Sequence, residues 1–482
     1  MSESKISALR FVNPLADLGS ALLGVEKPVR YAGGEYGRLA KKEDMEREGV
    51  LKTLIAFPDL YEIGMSNQAL RIIYNALNGM EDISCDRAFA PAPDFEALLR
   101  KRALPLYGLD TGISFKSLDL LLFTLGYELG ITNLLSMLDI SAIPLRSNER
   151  TGGDPIVIMG GPCVVNPLPY SPFIDAFWIG EAEAGFFELA SSLGKMKKAH
   201  ASRKKLLETM AGHPSIWMKG KDRALRAVYR DFSSGKTQAA VFPIPNMKAV
   251  QHHGAVEIMR GCPNGCRFCQ AGFWYRPMRQ KSIARIREET AAFINEGGYN
   301  EISLSSLSSG DYEGIEELTD ILNSEYGERH ISFQFPSLRV STFSLPLLEK
   351  ISAVRKSGLT FAVETPVDSW QFSINKEVSK NSVIAILREA KKRGWRGAKF
   401  YFMLGRPLGR LPAEAAAAFP EGEGSLREER EIVRFVLDAA RETGMRFNVN
   451  VGVFVPKPGT PYQWAGQMEE EEARQKLRYL QD

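Results

Sequence analysis

Cysteine is scarce in this chain: Cys85, Cys163, Cys262, Cys266 and Cys269 are the only five in 482 residues. Five cannot staple so long a chain, and three of them crowd into eight residues, so a disulfide scaffold is excluded and a reducing, cytoplasmic setting is expected. Charge of one sign is also lacking. Against 61 Lys and Arg stand 58 Asp and Glu, a formal balance of +3, so no global field calls for a polyanionic partner. No apolar run suits a bilayer: the most apolar stretch, 118–145, is interrupted by Asp119, Glu128 and Asp139, each costly in lipid. No membrane partner is expected. The N-terminus has no continuous apolar segment of the secretory type. Biased tracts are missing as well, with 44% hydrophobic and 25% charged residues, 42 Gly and 26 Pro, which excludes collagen-like and wholly disordered chains.

What the sequence has is alternation. At about 150 residues per domain the length allows two or three domains. From Leu51, short apolar runs read as buried strands at 51–57, 118–124, 155–160 and 174–180, separated by amphipathic segments such as Ser66 to Leu77. This pattern predicts an α/β doubly wound parallel sheet of flavodoxin-like (Rossmann-type) form, with a ligand crevice at the carboxyl ends of its strands. Residues 1–47, with a Gly-rich PVRYAGGEYG turn, read as an N-terminal extension, 48–194 as the first domain and 195–250 as a linker. The six basic residues between Lys195 and Lys205 read as a solvated helix face. A second series of strands follows within a domain at 251–482: 255–261, 301–306, 331–335, 359–364, 398–404 and 447–455. Six strands alternating with helices predict a (β/α)6 partial TIM barrel whose active site lies at the carboxyl ends. Ser425 and Glu428 form the capping box of one of its helices.

The sequence RGCPNGCRFCQAG sets Cys262, Cys266 and Cys269 in a C-x3-C-x2-C pattern directly after the first strand of the second series. Three thiolates on one loop suit three irons of a 4Fe-4S cluster, leaving the fourth iron open to another ligand. The alternative is a zinc loop completed by His252 or His253, although structural zinc favours paired C-x2-C elements.

With Phe268 as the aromatic, C-x3-C-x-aromatic-C resembles the signature of the radical SAM superfamily. The resemblance implies that S-adenosylmethionine (SAM) chelates the open iron and is cleaved reductively to a 5'-deoxyadenosyl radical. It also implies SAM contacts at several strand ends. Ser305, Gly310 and Asp311 stand where a small-residue motif and an acidic group meet the amino end. Glu364, followed by Asn375-Lys376, resembles the acidic residue that meets the ribose. Ser369 and Gln371 replace the usual arginines, and Arg339 is the substitute for carboxylate binding. Met403 and Gly405 are candidates to line the adenine.

The wider chain, through AFPDLYEIGMS (56–66), MGGPCVVNP (159–167) and VFVPKPGTPYQW (453–464), resembles an uncharacterised family of radical SAM proteins with an N-terminal cobalamin-binding-like domain. Cobalamin is the further cofactor this implies, with Asp59, Tyr61, Gly64, Thr124, Gly160 and Gly161 as its candidate contacts. Tyr61 occupies the place of the cobalt-ligating histidine, and a neutral phenol is a poor cobalt ligand, so a histidine-off state is expected. The implied activity is cobalamin-dependent methylation of an unactivated carbon. The alternatives are a cobalamin-independent rearrangement, ligation or sulfur insertion, and a non-catalytic cofactor-sensing scaffold. A reductant such as flavodoxin or ferredoxin is required. The chain stops soon after its sixth strand, so a separate substrate-recognition protein is expected. Phe273, Trp274, Tyr275 and the TPYQW segment offer stacking planes for an RNA substrate, which nothing else in the sequence supports.

Overall fold

The computed structural model describes residues 9–234, 241–337, 339–340, 359–407 and 427–482. The chain divides into two units, residues 1–252 with 295–298, and residues 253–294 with 299–482.

The first unit is built on β1 (Leu51–Phe57), β2 (Ile83–Phe89), β3 (Leu120–Thr124), β4 (Ile156–Gly160), β5 (Ala176–Trp178) and β6 (Ile216–Trp217). Their order is β2-β1-β3-β4-β5-β6. The first five strands run parallel and β6 is antiparallel to β5. This is the flavodoxin-like doubly wound order, whose topological switch point lies between β1 and β3. Helices bury both faces of a parallel sheet, which is why β1, β3 and β4 are almost continuously apolar. Leu51, Ile55, Leu120, Ile156 and Ile158 sit in one core with Leu70, Tyr74 and Leu77 of the helix Gln68–Asn78. That helix starts where the Asn67 side chain accepts from the Leu70 N–H at 3.2 Å, a side-chain N-cap.

β2 breaks the apolar rule. Its sequence, ISCDRAF, is wholly buried although it carries Asp86 and Arg87. Arg87 lies between Glu35 at 3.0 Å and Asp110 at 2.7 Å, and Tyr74 donates to Asp110 at 2.5 Å. Asp86 accepts from the hydroxyl and the N–H of Thr111 at 2.6 and 2.9 Å. Burial, then the neighbouring Asp110, pushes its carboxyl up to about 7.

Two expected boundaries change. The described part of the segment 1–47 packs on the rest of the first unit. Its Glu35 pairs with Arg87 of β2, the Tyr31 ring stacks on Phe95 at 3.6 Å, and the Val12 N–H donates to Gly112 at 2.7 Å. Nor is 195–250 a linker. It supplies the end of the helix Phe186–Lys198, the helix Arg203–Gly212 and β6. Its Asn246 N–H donates to the Tyr61 hydroxyl at 3.1 Å. Within the basic run, Lys197, Lys198 and Arg203 pair with Asp119, Asp82 and Asp175; three of the six cations are therefore tied to the unit's own aspartates.

The second unit contains β7 (Gly254–Glu257), β8 (Met259–Arg260), β9 (Arg279–Gln280), β10 (Glu301–Ser305), β11 (Ser332–Gln334), β12 (Leu359–Glu364), β13 (Gly397–Leu404) and β14 (Arg446–Val453). A single six-stranded arc was expected. Among the described residues the ladders form two three-stranded parallel sheets, β11-β10-β7 and β12-β13-β14, with β8 and β9 as an antiparallel pair. The chain between β11 and β12 lies largely outside the described residues. In the second sheet Phe361, Val363, Phe400 and Phe402 pack against Val383 and Leu387 of the helix Lys380–Lys392, and against Ile432 and Phe435 of the helix Arg427–Thr443. Ser425 of the expected capping box lies outside the described residues. The Glu428 carboxylate accepts from the Gly405 N–H at 3.0 Å and from Arg406 at 2.5 Å.

Replacing Arg87 with Met strands Glu35 and Asp110 as unpaired buried charges. The expected loss is about 3–5 kcal/mol for the first unit, read as a fall in its urea midpoint by circular dichroism.

Candidate active site

The three cysteines follow β8. Gly261, which begins the loop, has φ +85°, and a Cβ there would lie 2.6 Å from the Tyr275 carbonyl oxygen. Only glycine satisfies both the backbone angle and that approach. The loop ends in the short helix Gln270–Trp274, and the Cys269 sulfur accepts from the Gly272 N–H at 3.4 Å. The Asn264 amide donates to the Cys262 sulfur at 3.4 Å. Burial pushes the Cys266 thiol up, while Lys376 and then Arg339 pull it down. Burial likewise raises Cys269, opposed by the Gly272 N–H. The loop thus supplies the compensation that thiolate ligands need: N–H donors and nearby cations.

All three cysteines are half-buried. Among the described residues, no three His, Cys, Asp or Glu side chains gather tightly enough for one metal ion.

Two of the predicted SAM-contact regions meet this loop. The Asn264 amide donates to Asp311 at 2.6 Å, and so does the Ser308 hydroxyl. Gly310 lies in the same 3-10 turn, Ser309–Asp311. Asn375 donates to the Asn264 and Gly265 carbonyls at 2.9 and 3.1 Å, and Arg267 N–H donates to Ile374 at 3.0 Å. Next to Asn375, Lys376 pairs with Glu364 at 2.7 Å and lies 5.8 Å from the Phe268 ring centre. Glu364 itself has φ +64°, a sparsely populated angle for a residue with a Cβ. Ser305 turns back to the Val256 carbonyl at 3.4 Å. Met403 is the last residue but one of β13 and Gly405 directly follows the strand, with φ +71°. Gln371 is buried and spends its amide on Thr365 and Val378 at 2.8 Å and 3.1 Å, so it holds a turn. Asn264 and Arg406 were not singled out in the sequence and Glu428 was read there only as part of a cap; their partners lie 22 or more residues away along the chain, apart from Cys262.

In the first unit the candidate cobalamin residues separate into two groups. Asp59 accepts from the Tyr127 hydroxyl at 2.6 Å, in the loops that follow β1 and β3. Thr124 ends β3, and Gly160 and Gly161 end β4. Gly161 has φ +97° and passes so near Leu125 that a Cβ would meet its oxygen at 2.6 Å, whereas Gly126 and Gly160 have open space where a Cβ would stand. The same loops expose Ile63, Tyr127, Leu129 and Leu168, with Leu129 80% accessible. A glycine floor with an apolar rim at the switch point fits a broad, partly apolar ligand. Tyr61 and Gly64 belong to the core instead. Tyr61 is 1% exposed and packs edge-on against Phe89, and a Cβ on Gly64 would come within 2.2 Å of that same ring. The Tyr61 hydroxyl faces Asn246 and Glu35.

Comparison with known proteins follows the same division. Residues 69–218 match the family described as radical SAM proteins, N-terminal, and residues 256–408 match the radical SAM superfamily. The chain belongs to the radical SAM superfamily and is a radical SAM enzyme, a class that uses a 4Fe-4S cluster and SAM. It is similar to the uncharacterised protein MJ0966 of Methanocaldococcus jannaschii, 24% identical over 430 residues, which cover 89% of this chain and 82% of that one. Its fold resembles that of TsrM from Kitasatospora setae, a radical SAM methyltransferase solved with cobalamin and a 4Fe-4S cluster. That likeness has a TM-score of 0.55 at 12% identity, over 86% of this chain and 77% of TsrM. OxsB, a cobalamin-dependent SAM radical enzyme solved with aqua-cobalamin and SAM, gives a TM-score of 0.55 at 12% identity, over 89% of this chain and 61% of OxsB. Among the described residues no helix is long and apolar enough to cross a membrane.

The expected outcome of Cys266→Ala is loss of the cluster. Iron in the anaerobically reconstituted protein should fall from about four per chain to a small residue, with the broad visible absorption near the blue lost in parallel.

Proposed function

We propose that this protein is a cobalamin-dependent radical SAM methyltransferase acting on an unactivated carbon. The observation that carries the reading is the pairing, in one chain, of the three-cysteine loop with a flavodoxin-order sheet whose switch point has a glycine floor and an apolar rim. The likeness in fold to TsrM and OxsB supports it. When bound, the cluster and SAM supply one-electron, hydrogen-abstracting chemistry and methylcobalamin supplies the methyl group.

The chain's own residues hold and orient these groups. Cys262, Cys266 and Cys269 bind iron, while Asn264, Asp311 and Asn375 fix the loop that carries them. Lys376 and Arg339 offset the thiolate charge, and Arg339 is the candidate partner of the SAM carboxylate. Glu364 is assigned to the ribose, with Met403 and Gly405 beside the adenine and Phe268, Ser305 and Gly310 completing the surround. Asp59, Thr124, Gly160 and Gly161 lie along the crevice assigned to cobalamin, without a cobalt ligand from Tyr61. On the face of the β12-β13-β14 sheet opposite the helices, Thr360, Lys399 and Asn448 form one cross-strand row and Ala362, Tyr401 and Asn450 the next. That polar face is the surface assigned to the substrate. A flavodoxin or ferredoxin is the proposed reductant, and a separate protein the proposed aid to substrate recognition.

The buried Tyr61 favours a second reading, radical SAM chemistry without cobalamin. The two separate on anaerobic purification followed by dithionite reduction with SAM. The first predicts cobalamin retained at about one per chain in the visible spectrum and SAM turned over in a Cys266-dependent way. Turnover of SAM by a protein that never retains added cobalamin would establish the second reading and overturn the first.

A further inference from the structure

Glu364 is held in an unfavourable backbone angle, φ +64°, where the β12–β13 register slips between Ala362 and Glu364. Non-glycine residues stay at such angles only when surrounding contacts fix them from several sides. The contacts are on hand. Lys376 holds the carboxylate at 2.7 Å, and the Arg406 guanidinium donates to the Glu364 carbonyl oxygen at 2.9 Å. The Arg406 side chain is fully buried and is held in turn by Glu428 at 2.5 Å. Glu428 spends its other oxygen on the Gly405 N–H at 3.0 Å. The C-terminal helix Glu470–Gln481 closes this chain of contacts, with the Lys476 ammonium 3.9 Å from Glu428 and 3.5 Å from Glu429.

We infer that Arg406 and Glu428 are positioning residues for SAM: their ion pair locks the ends of β12 and β13 together and so fixes both Glu364 and Gly405. The inference rests on the reading of Glu364 as a SAM contact. Two features argue for it over plain packing. The guanidinium reaches a backbone oxygen at the one residue of β12 with a left-handed angle, and the same glutamate that anchors it also caps the N–H of Gly405, the residue assigned to the adenine. One ion pair therefore sets two sides of one ligand site. A fork of donors is needed to hold Glu428 and the Glu364 carbonyl together, and an ammonium cannot reproduce it.

The test is steady-state SAM cleavage by the reconstituted full chain, with iron content as a second readout. Arg406→Lys keeps the buried charge opposite Glu428 and so preserves the fold. Glu428→Gln is the second variant, since its amide must set a donor against either the Gly405 N–H or Arg406. Both are expected to raise KM for SAM about tenfold, a change of about 1.4 kcal/mol, with kcat at saturating SAM and iron content within about twofold of wild type. Glu364→Gln is the control and is expected to raise KM as well. If Glu364→Gln weakens SAM while both other variants keep the wild-type KM, the positioning role is overturned. If Glu364→Gln itself leaves KM unchanged, the reading of Glu364 as a SAM contact fails, and the positioning role with it.

Discussion

Three thiolates within eight residues repel one another, and the second unit is arranged around that constraint. Each iron accepts one thiolate, so the loop must spread its cysteines while keeping their charge compensated in a half-buried place. Gly261 starts the turn, where a Cβ would collide with the Tyr275 carbonyl. Gly272 and Asn264 give N–H groups to two sulfurs, and Lys376 and Arg339 bring positive charge toward Cys266. The loop is then clamped from two directions, by Asp311 after β10 and by Asn375 after β12. Neither clamp contributes a ligand to iron. Both arrive on segments assigned to SAM, so the loop that would hold the cluster and the proposed SAM contacts share one set of hydrogen bonds.

The first unit solves a different problem. Its sheet is apolar except at β2, where Arg87 is buried with Glu35, Asp110 and Tyr74. A buried ion pair is weak support for stability, because desolvation offsets most of the attraction. What it does here is join segments distant in the chain, Glu35 of the N-terminal segment and Asp110 after β2, to one strand. The N-terminal segment is thereby bound to the edge strand, whose outward backbone groups are taken up by the Asn78 side chain at Cys85 and by the Leu109 N–H at Arg87. The switch point, at the other side of β1, is left to glycine and to exposed apolar side chains.

These differences explain what was legible in the sequence. β1, β3, β4, β12, β13 and β14 are apolar runs or clean alternations, and each lies within two residues of its expected bounds. β2 was missed because Asp86 and Arg87 break its apolar pattern, and the partners that make their burial tolerable, Glu35 and Asp110, are 52 and 23 residues from Arg87. The cysteine loop was legible because its chemistry is local, three ligands at fixed spacing. The clamps were only partly so: Asp311 and Asn375 stood in recognisable segments, whereas Asn264, Arg406 and Glu428 work through backbone atoms and distant carboxylates. Tyr61 marks the opposite failure. Its place in a motif suggested a ligand contact, and its ring turned out to belong to the core with Phe89.

The central claim is that the three-cysteine cluster leaves one iron open and that SAM occupies it. The most direct measurement is electron-nuclear double resonance on the reduced, reconstituted full chain, with SAM isotopically labelled at its amino nitrogen. A hyperfine coupling from the label to the cluster, absent without SAM, is the predicted result. A fully formed cluster that binds labelled SAM and shows no coupling would contradict the account.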